Sequence, residues 1–147
     1  MTGRQAPLLS VRDLKVVFPT PIGMVHAVDG VSFDLEAGQS MGIVGESGSG
    51  KSVSALSMLQ LLPYPAAHHP TGSITLTNEE LVGAPDTKMQ KIRGDRVAIV
   101  FQEPLTSLNP LHTIGKQVGE ILFVHKKLDK DVARTRIIDL LTEVGLP

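Results

Sequence analysis

The stretch Gly-Glu-Ser-Gly-Ser-Gly-Lys-Ser at residues 45–52 decides the fold class of this chain. It matches the phosphate-binding pattern G-x-x-x-x-G-K-[ST] without a gap. The apolar run at residues 41–44 predicts a buried strand before the loop, and residues 53–62 predict a helix after it. A strand, a glycine-rich loop and a helix in this order are the context that confirms the pattern.

The residue types in this loop suit an anion. Glycines let backbone N–H groups turn inward and approach a phosphate closely, and the start of the following helix adds unpaired N–H donors and a partial positive charge. Lys51 would then reach the outer phosphates, and Ser52 would bind a Mg²⁺ ion that bridges them. The alternative is a glycine-rich turn before a helix, with an exposed lysine.

Composition limits the remaining classes. The 147 residues are enough for one compact domain, and 41% of them are hydrophobic, which is enough for a core. The net charge of -1 gives no sign of a nucleic-acid partner, and the absence of cysteine excludes disulfides and cysteine-based metal sites. The sequence has neither an apolar run near the ~20 residues that span a bilayer nor the apolar core of a signal peptide. These features predict a cytosolic protein that can dock on a membrane partner.

The rest of the chain shows strand and helix patterns in turn. Apolar and polar residues roughly alternate over residues 8–18, which predicts a strand, and residues 19–23 predict a turn. Further strands are predicted at residues 31–35, 73–77 and 96–101, the last of them a central strand. Helices are predicted from Asp86 to residues 93–94, over 114–125 and over about 129–144.

Three segments together resemble the nucleotide-binding domain of ABC transporters. They are residues 43–52, which contain the glycine-rich loop, residues 27–33 (Ala-Val-Asp-Gly-Val-Ser-Phe) and residues 100–110 (Val-Phe-Gln-Glu-Pro-Leu-Thr-Ser-Leu-Asn-Pro). The last segment looks like the Q-loop of the oligopeptide and dipeptide importer group, and residues 62–72 are similar to the same group, including its double-cassette members. The resemblance runs from about residue 8 to residue 147.

The resemblance implies an α/β fold, a P-loop NTPase of ABC type. Antiparallel β strands would come first, followed by part of the RecA-like core and the start of the helical subdomain. Residues 1–147 would form one incomplete nucleotide-binding domain. Its β subdomain and Walker A core would span about 8–101, and its Q-loop and first helical residues would span about 102–147.

The resemblance also assigns residue roles. Residues 45–52 would be the Walker A loop, Gln102 the Q-loop glutamine and Phe18 the aromatic residue that stacks on adenine. Lys51 and Gln102 would have catalytic roles, while Ser52 and Gln102 would contact Mg²⁺. The residues expected to contact ATP are Phe18, Gly45, Glu46, Ser47, Gly48, Ser49, Gly50, Lys51, Ser52 and Val53. Without the resemblance, Gln102 would read as a surface glutamine and Phe18 as a core residue.

The sequence departs from the family pattern after Gln102. A complete cassette also carries an L-S-G-G-Q signature loop, a Walker B strand that ends in acidic residues and a switch histidine, and this sequence contains none of them. We therefore interpret the chain as the N-terminal fragment of a cassette, cut inside its helical subdomain and unable to hydrolyse ATP at a useful rate alone. The alternative is a naturally short protein.

The function that the resemblance implies is energising the import of peptides or a related small solute with ATP. The implied partners are transmembrane permease subunits, a second ABC cassette and, indirectly, a periplasmic or extracellular solute-binding protein, with no nucleic acid. Residues 102–125 would dock a short helix of the membrane subunit at the cytoplasmic face of the inner membrane. Two rival classes remain, a P-loop small-molecule kinase and a soluble ABC protein of repair or translation.

Overall fold

The computed structural model describes residues 6–101 and 108–146. The chain divides into two compact units, a first unit that ends at Met89 and a second unit that begins at Gln90. The division near residues 101 and 102 that the resemblance implies stays a prediction. No helix in the described part of the chain is both long enough and apolar enough to cross a membrane.

The first unit is built on an antiparallel hairpin. Strand β1 (Leu9–Thr20) pairs with strand β2 (Gly23–Leu35) from Leu9 opposite Leu35 to Thr20 opposite Gly23. The predicted turn is confirmed, because the chain reverses at residues 21–22. The predicted strands over residues 8–18 and 31–35 are confirmed as well, the second as part of a longer strand.

Two short strands complete the sheet, in the order β2-β1-β3-β4. Strand β3 (Ser73–Leu76), which the sequence predicts, pairs with β1, and strand β4 (Glu79–Glu80), which it does not, pairs with β3. The turn between β3 and β4 places Thr77 and Asn78 at φ 47° and 65°. Such a left-handed pair is typical of tight hairpin turns.

Glu80 fastens this second hairpin. Its carboxylate accepts the N–H groups of Ile74, Leu81 and Val82 at 2.9, 3.1 and 2.9 Å, and it also accepts the hydroxyl of Ser73. Burial would raise the pKa of Glu80, but these hydrogen bonds bring it below its usual value.

Helix α1 (Lys51–Met58) packs against β1 and β2. The helix predicted over residues 53–62 is therefore displaced: it starts earlier and ends earlier. Gln60 explains the early end, since it adopts φ 49° and its side chain donates to the carbonyl groups of Leu81 and Ala84. A residue with this backbone conformation cannot continue a right-handed helix.

The helices of the chain's second half agree with the sequence pattern. Helix α2 (Asp86–Ile92) contains the boundary between the two units, and helices α3 (Ile114–Lys126) and α4 (Lys130–Glu143) lie in the second unit. The Thr113 side chain caps α3 by accepting the N–H of Lys116, and Asp129 caps α4 in the same way. The two helices pack closely, because a Cβ added to Gly119 would lie 2.9 Å from Ile137 Cδ1.

Two predicted strands are wrong. Residues 41–44 and 96–101 form no strand, and Val44 and Val100 are 92% and 95% exposed. Within residues 6–101 and 108–146, the only pairing that either segment makes is an isolated bridge between Val97 and Arg93. A parallel strand in a sheet interior needs a hydrogen-bonded neighbour on each side. Neither segment finds one among the described residues.

Candidate phosphate-binding site

Two glycines of the glycine-rich loop adopt a backbone conformation that other residues rarely adopt. Gly48 and Gly50 have φ 80° and 85°, in the left-handed region that glycine adopts without strain. Gly50 caps helix α1, and its carbonyl accepts the N–H of Ser54 at 2.8 Å. The loop therefore leads directly into the helix N-terminus, as the sequence predicts.

Lys51 closes the loop from within. Its Nζ atom donates to the carbonyl oxygens of Gly45 at 2.8 Å and Glu46 at 2.6 Å, and to the Ser49 hydroxyl at 3.3 Å. The ammonium group thus lies at the loop, next to the helix N-terminus. It is in a position to attract phosphate oxygens.

A cavity of about 150 Å³ opens at the end of the loop. It is lined by residues 48–53 and by Ala27, while Gly45 lines an adjoining cleft with Lys51. The first turn of α1 contains no acidic residue. A phosphate would therefore meet the positive end of the helix without repulsion from a neighbouring carboxylate in that turn.

Most of the predicted site residues thus lie together. Glu46 contributes its carbonyl group to Lys51, whereas Ser47 is exposed on the loop. Gln102 lies outside the described residues, so its assignment to Mg²⁺ and to catalysis stays a prediction. Among the residues that the structure describes, no cluster of three or more His, Asp or Glu side chains could hold a metal ion. The assignment of Ser52 to Mg²⁺ likewise stays a prediction.

Phe18 lies on the sheet face that carries the loop. Phe18 and Val16 are two residues apart in β1, so their side chains share a face. Val16 pairs with Val28 in β2, and the Val28 Cγ2 atom would be 3.3 Å from a Cβ added to Gly50. Phe18 is half-buried and pairs with Val25. Its position is compatible with a stacking role, which stays a prediction.

A β-bulge at Ala27 is the feature that sequence reasoning missed. In the β1–β2 register Val16 is opposite Val28 and Val17 is opposite His26, so Ala27 is the extra residue. A Cβ added to Gly50 would lie 2.2 Å from the Ala27 carbonyl oxygen, which shows how closely the loop approaches β2. The odd spacing of apolar residues 25 and 28 was the one signal of this irregularity in the sequence.

Lys15 and Asp29, close to the bulge, form an ion pair. Lys15 Nζ lies 3.0 Å from Asp29 Oδ1. The hydrogen bond from Lys15, together with its charge, lowers the pKa of Asp29. Asp29 is therefore ionised at neutral pH but has its own counter-ion, which reduces its repulsion of an anion at the loop.

Solved structures share this architecture. The chain matches a dimeric post-hydrolysis state of the ATP-binding cassette MJ0796 bound to ADP and Pi, with a TM-score of 0.76, 22% identity and coverage of 95% of this chain and 58% of that one. It matches cbiO1 from Clostridium perfringens with a TM-score of 0.66, 24% identity and coverage of 97% and 52%. The fold is therefore that of an ABC-type P-loop ATPase, an α/β class that here begins with antiparallel strands.

The chain belongs to the family described as ABC transporter, which matches residues 28–147. The resemblance inferred from the three sequence segments is confirmed. The leading antiparallel hairpin also disagrees with the kinase alternative, for which we expect a parallel sheet without such strands.

Curated relatives are named for peptide-related transport. The chain is 51% identical over 140 residues to the peptidoglycan transport ATP-binding protein YejF of Agrobacterium fabrum, covering 95% of this chain and 26% of that protein. It is 43% identical to the oligopeptide transport ATP-binding protein OppD and 46% identical to the dipeptide transport ATP-binding protein DppD, both of Bacillus subtilis. These two matches cover 98% and 95% of this chain, and 40% and 42% of the two relatives. The chain thus spans less than half the length of these relatives.

Proposed function

We propose that this chain binds the triphosphate of ATP, with Mg²⁺, at residues 45–52. The observation that supports the proposal best is the geometry of the loop. Gly48 and Gly50 turn the backbone, and the Lys51 ammonium group lies against the loop carbonyl groups of Gly45 and Glu46. The donors of the loop and of the α1 N-terminus would bind phosphate oxygens. Phe18 would stack on the base.

When bound, Mg²⁺ would neutralise part of the negative charge on the phosphates. The Ser52 hydroxyl, at the start of α1, is the described protein group that would hold the ion. Lys51 would exchange its carbonyl partners for phosphate oxygens, and the helix N-terminus would hold the phosphates in register. The resemblance implies that Gln102, which lies outside the described residues, is a further neutral oxygen ligand of the ion.

Replacing Lys51 with alanine tests this proposal. We expect K51A to lose charge-assisted contacts of about 1.5–3 kcal/mol, which corresponds to roughly a 10- to 100-fold weaker affinity for MgATP. Isothermal titration calorimetry measures the change. K91A removes an exposed lysine at the end of α2 and is the matched control. Equal affinity in K51A and the parent chain would remove the site assignment.

In the whole protein we propose that ATP hydrolysis drives uptake of peptides or a related small solute. The names of the curated relatives support this class of cargo, since they include oligopeptide, dipeptide and peptidoglycan transport proteins. A second cassette and transmembrane permease subunits would complete the assembly, with the solute-binding protein acting on the far side. The location would be peripheral, on the cytoplasmic face of the inner membrane.

The second unit offers a surface for the permease. A groove of about 450 Å³ lies along α3, and it is lined by His112, Lys116, Gln117, Glu120, Phe123 and Val124. Nearby, Leu111 is 86% exposed. Apolar side chains at the rim of a partly charged groove suit a short amphipathic helix. We propose that this groove receives such a helix from the membrane subunit.

A photo-cross-linker at position 124 tests the groove in the assembled transporter. We expect products with a membrane subunit from position 124, and few from Asp139, which is exposed on α4. Cross-links from position 124 to another cassette alone would overturn this assignment and leave the nucleotide site unaffected.

A further inference from the structure

The bulge in β2 lies beside the candidate phosphate site, and its extra residue has no function assigned to it above. Ala27 is the extra residue of this bulge, and it is the one residue outside the loop and α1 among those that line the 150 Å³ cavity. Bulges commonly occur beside functional sites, where they redirect one strand. Here the bulge presents position 27 to the cavity while Val28 keeps its side chain in the core.

Position 27 lies between the two ends of the proposed nucleotide site. On one side, the Ala27 carbonyl is in van der Waals range of Gly50, to the point that no Cβ would fit there. On the other side, Phe18 in β1 pairs with Val25 in β2, and Val25 is two residues before Ala27. At about 3.3 Å per residue, Val25 and Ala27 are about 7 Å apart along β2. Position 27 therefore lies on β2 between the residue that pairs with Phe18 and the point where the strand meets the loop.

We propose that Ala27 is a specificity-determining residue, whose small side chain leaves room for the nucleoside of a nucleoside triphosphate beside the loop. Bare polyphosphate needs the loop alone, so its binding does not depend on the size of this residue. The inference rests on the proposed phosphate site and adds the reason that the site selects a nucleotide. Half-burial of Ala27 supports it, because added methylene groups would have to enter the cavity or strain the bulge.

The test compares two ligands on size variants of one residue. Calorimetry measures Mg-ATP and Mg-tripolyphosphate binding to the parent chain, A27V, A27L and A66L, in which the exposed Ala66 serves as the control. For A27L we expect ATP affinity to fall on the order of tenfold while tripolyphosphate affinity changes less than about twofold. A27V should fall between A27L and the parent, and A66L should match the parent for both ligands.

Each result has a distinct meaning. Unchanged ATP affinity in A27L overturns the inference, and so does an equal loss for both ligands, which would mean that the loop itself had moved. Failure of the parent chain to bind either ligand contradicts the proposed phosphate site instead. Urea unfolding checks that every variant is folded. If A27L does not fold, A27V decides the question by the same ratio of ATP to tripolyphosphate affinity.

Discussion

The β1–β2 hairpin and the segment at residues 41–44 are both apolar, yet only the hairpin forms strands. In β1, Leu14 and Val16 are fully buried, and each has a partner in β2. In the other segment, Val44 is 92% exposed and has no strand neighbour among the described residues. The two regions have similar side chains and differ in whether a partner strand lies close in the sequence.

The difference shows what an apolar pattern can and cannot predict. An antiparallel hairpin takes its partner from the next few residues, so alternation and a turn are sufficient. A strand of a parallel sheet takes its partners from distant parts of the chain. Residues 41–44 and 96–101 have the composition of such strands, but no described residue supplies the missing edges.

Truncating one side chain in each region should give the largest difference in the free energy of unfolding. We expect Leu14→Ala to lower the free energy of unfolding by about 2–5 kcal/mol, because it leaves a cavity in the core. Val44→Ala should change it by less than about 0.5 kcal/mol, since an exposed side chain loses little. Urea unfolding followed by circular dichroism measures both. A large loss in V44A would mean that residues 41–44 are packed, and the contrast between the regions would disappear.

A smaller loss of stability should distinguish two glycines of the loop that follows residues 41–44. Gly48 and Gly50 have φ 80° and 85°, but an added Cβ meets nothing within 4 Å at Gly48 and lies 2.2 Å from the Ala27 carbonyl oxygen at Gly50. We expect G48A to cost about 1 kcal/mol of backbone strain and G50A to cost more. Thermal unfolding of the two variants provides the comparison. Equal losses would show that the loop does not press against β2.

The smallest change in the free energy of unfolding is expected from the two glutamates of β4, Glu79 and Glu80. Glu80→Gln should cost about 1 kcal/mol at neutral pH, because the carboxylate accepts backbone N–H groups. Glu79 forms an exposed ion pair with Lys88, at 3.4 Å, and E79Q should have a smaller effect because exposed ion pairs contribute little.

The pH dependence of the Glu80 contribution has a definite sign. The pKa of Glu80 is lower in the folded chain than in the unfolded one. The contribution is therefore fully present above that unfolded value and is lost as pH falls through the lower folded value. The difference between the urea midpoints of the parent and E80Q should be smaller at about pH 3 than at about pH 7. A constant difference would contradict the role of the carboxylate.

Much of the local structure could be predicted from the sequence. Alternation predicted β1, and the helical spacing of apolar residues predicted α3 and α4, which Thr113 and Asp129 cap in the structure. The glycine spacing gave the loop. Strand β4 was missed because two glutamates carry no apolar signal, although the Thr77-Asn78 turn makes the hairpin.

What the sequence could not predict depends on contacts between distant residues. The helix after the loop ends at Met58 because Gln60 binds carbonyl groups more than 20 residues away, at Leu81 and Ala84. The bulge at Ala27 is visible only in the register of two strands. The role of Gln102 rests on resemblance alone, since that residue lies outside the described part of the chain.

The three oxygen partners of Lys51 bear on the heat that nucleotide binding would release. The ammonium group already donates hydrogen bonds to Gly45, Glu46 and Ser49. Phosphate oxygens would therefore replace acceptors that this group already has. The measured enthalpy would then be the difference between two sets of hydrogen bonds. Affinity at this loop would come mainly from the greater negative charge of the phosphate oxygens and from water that the ligand releases. The number of hydrogen bonds that Lys51 donates would change little.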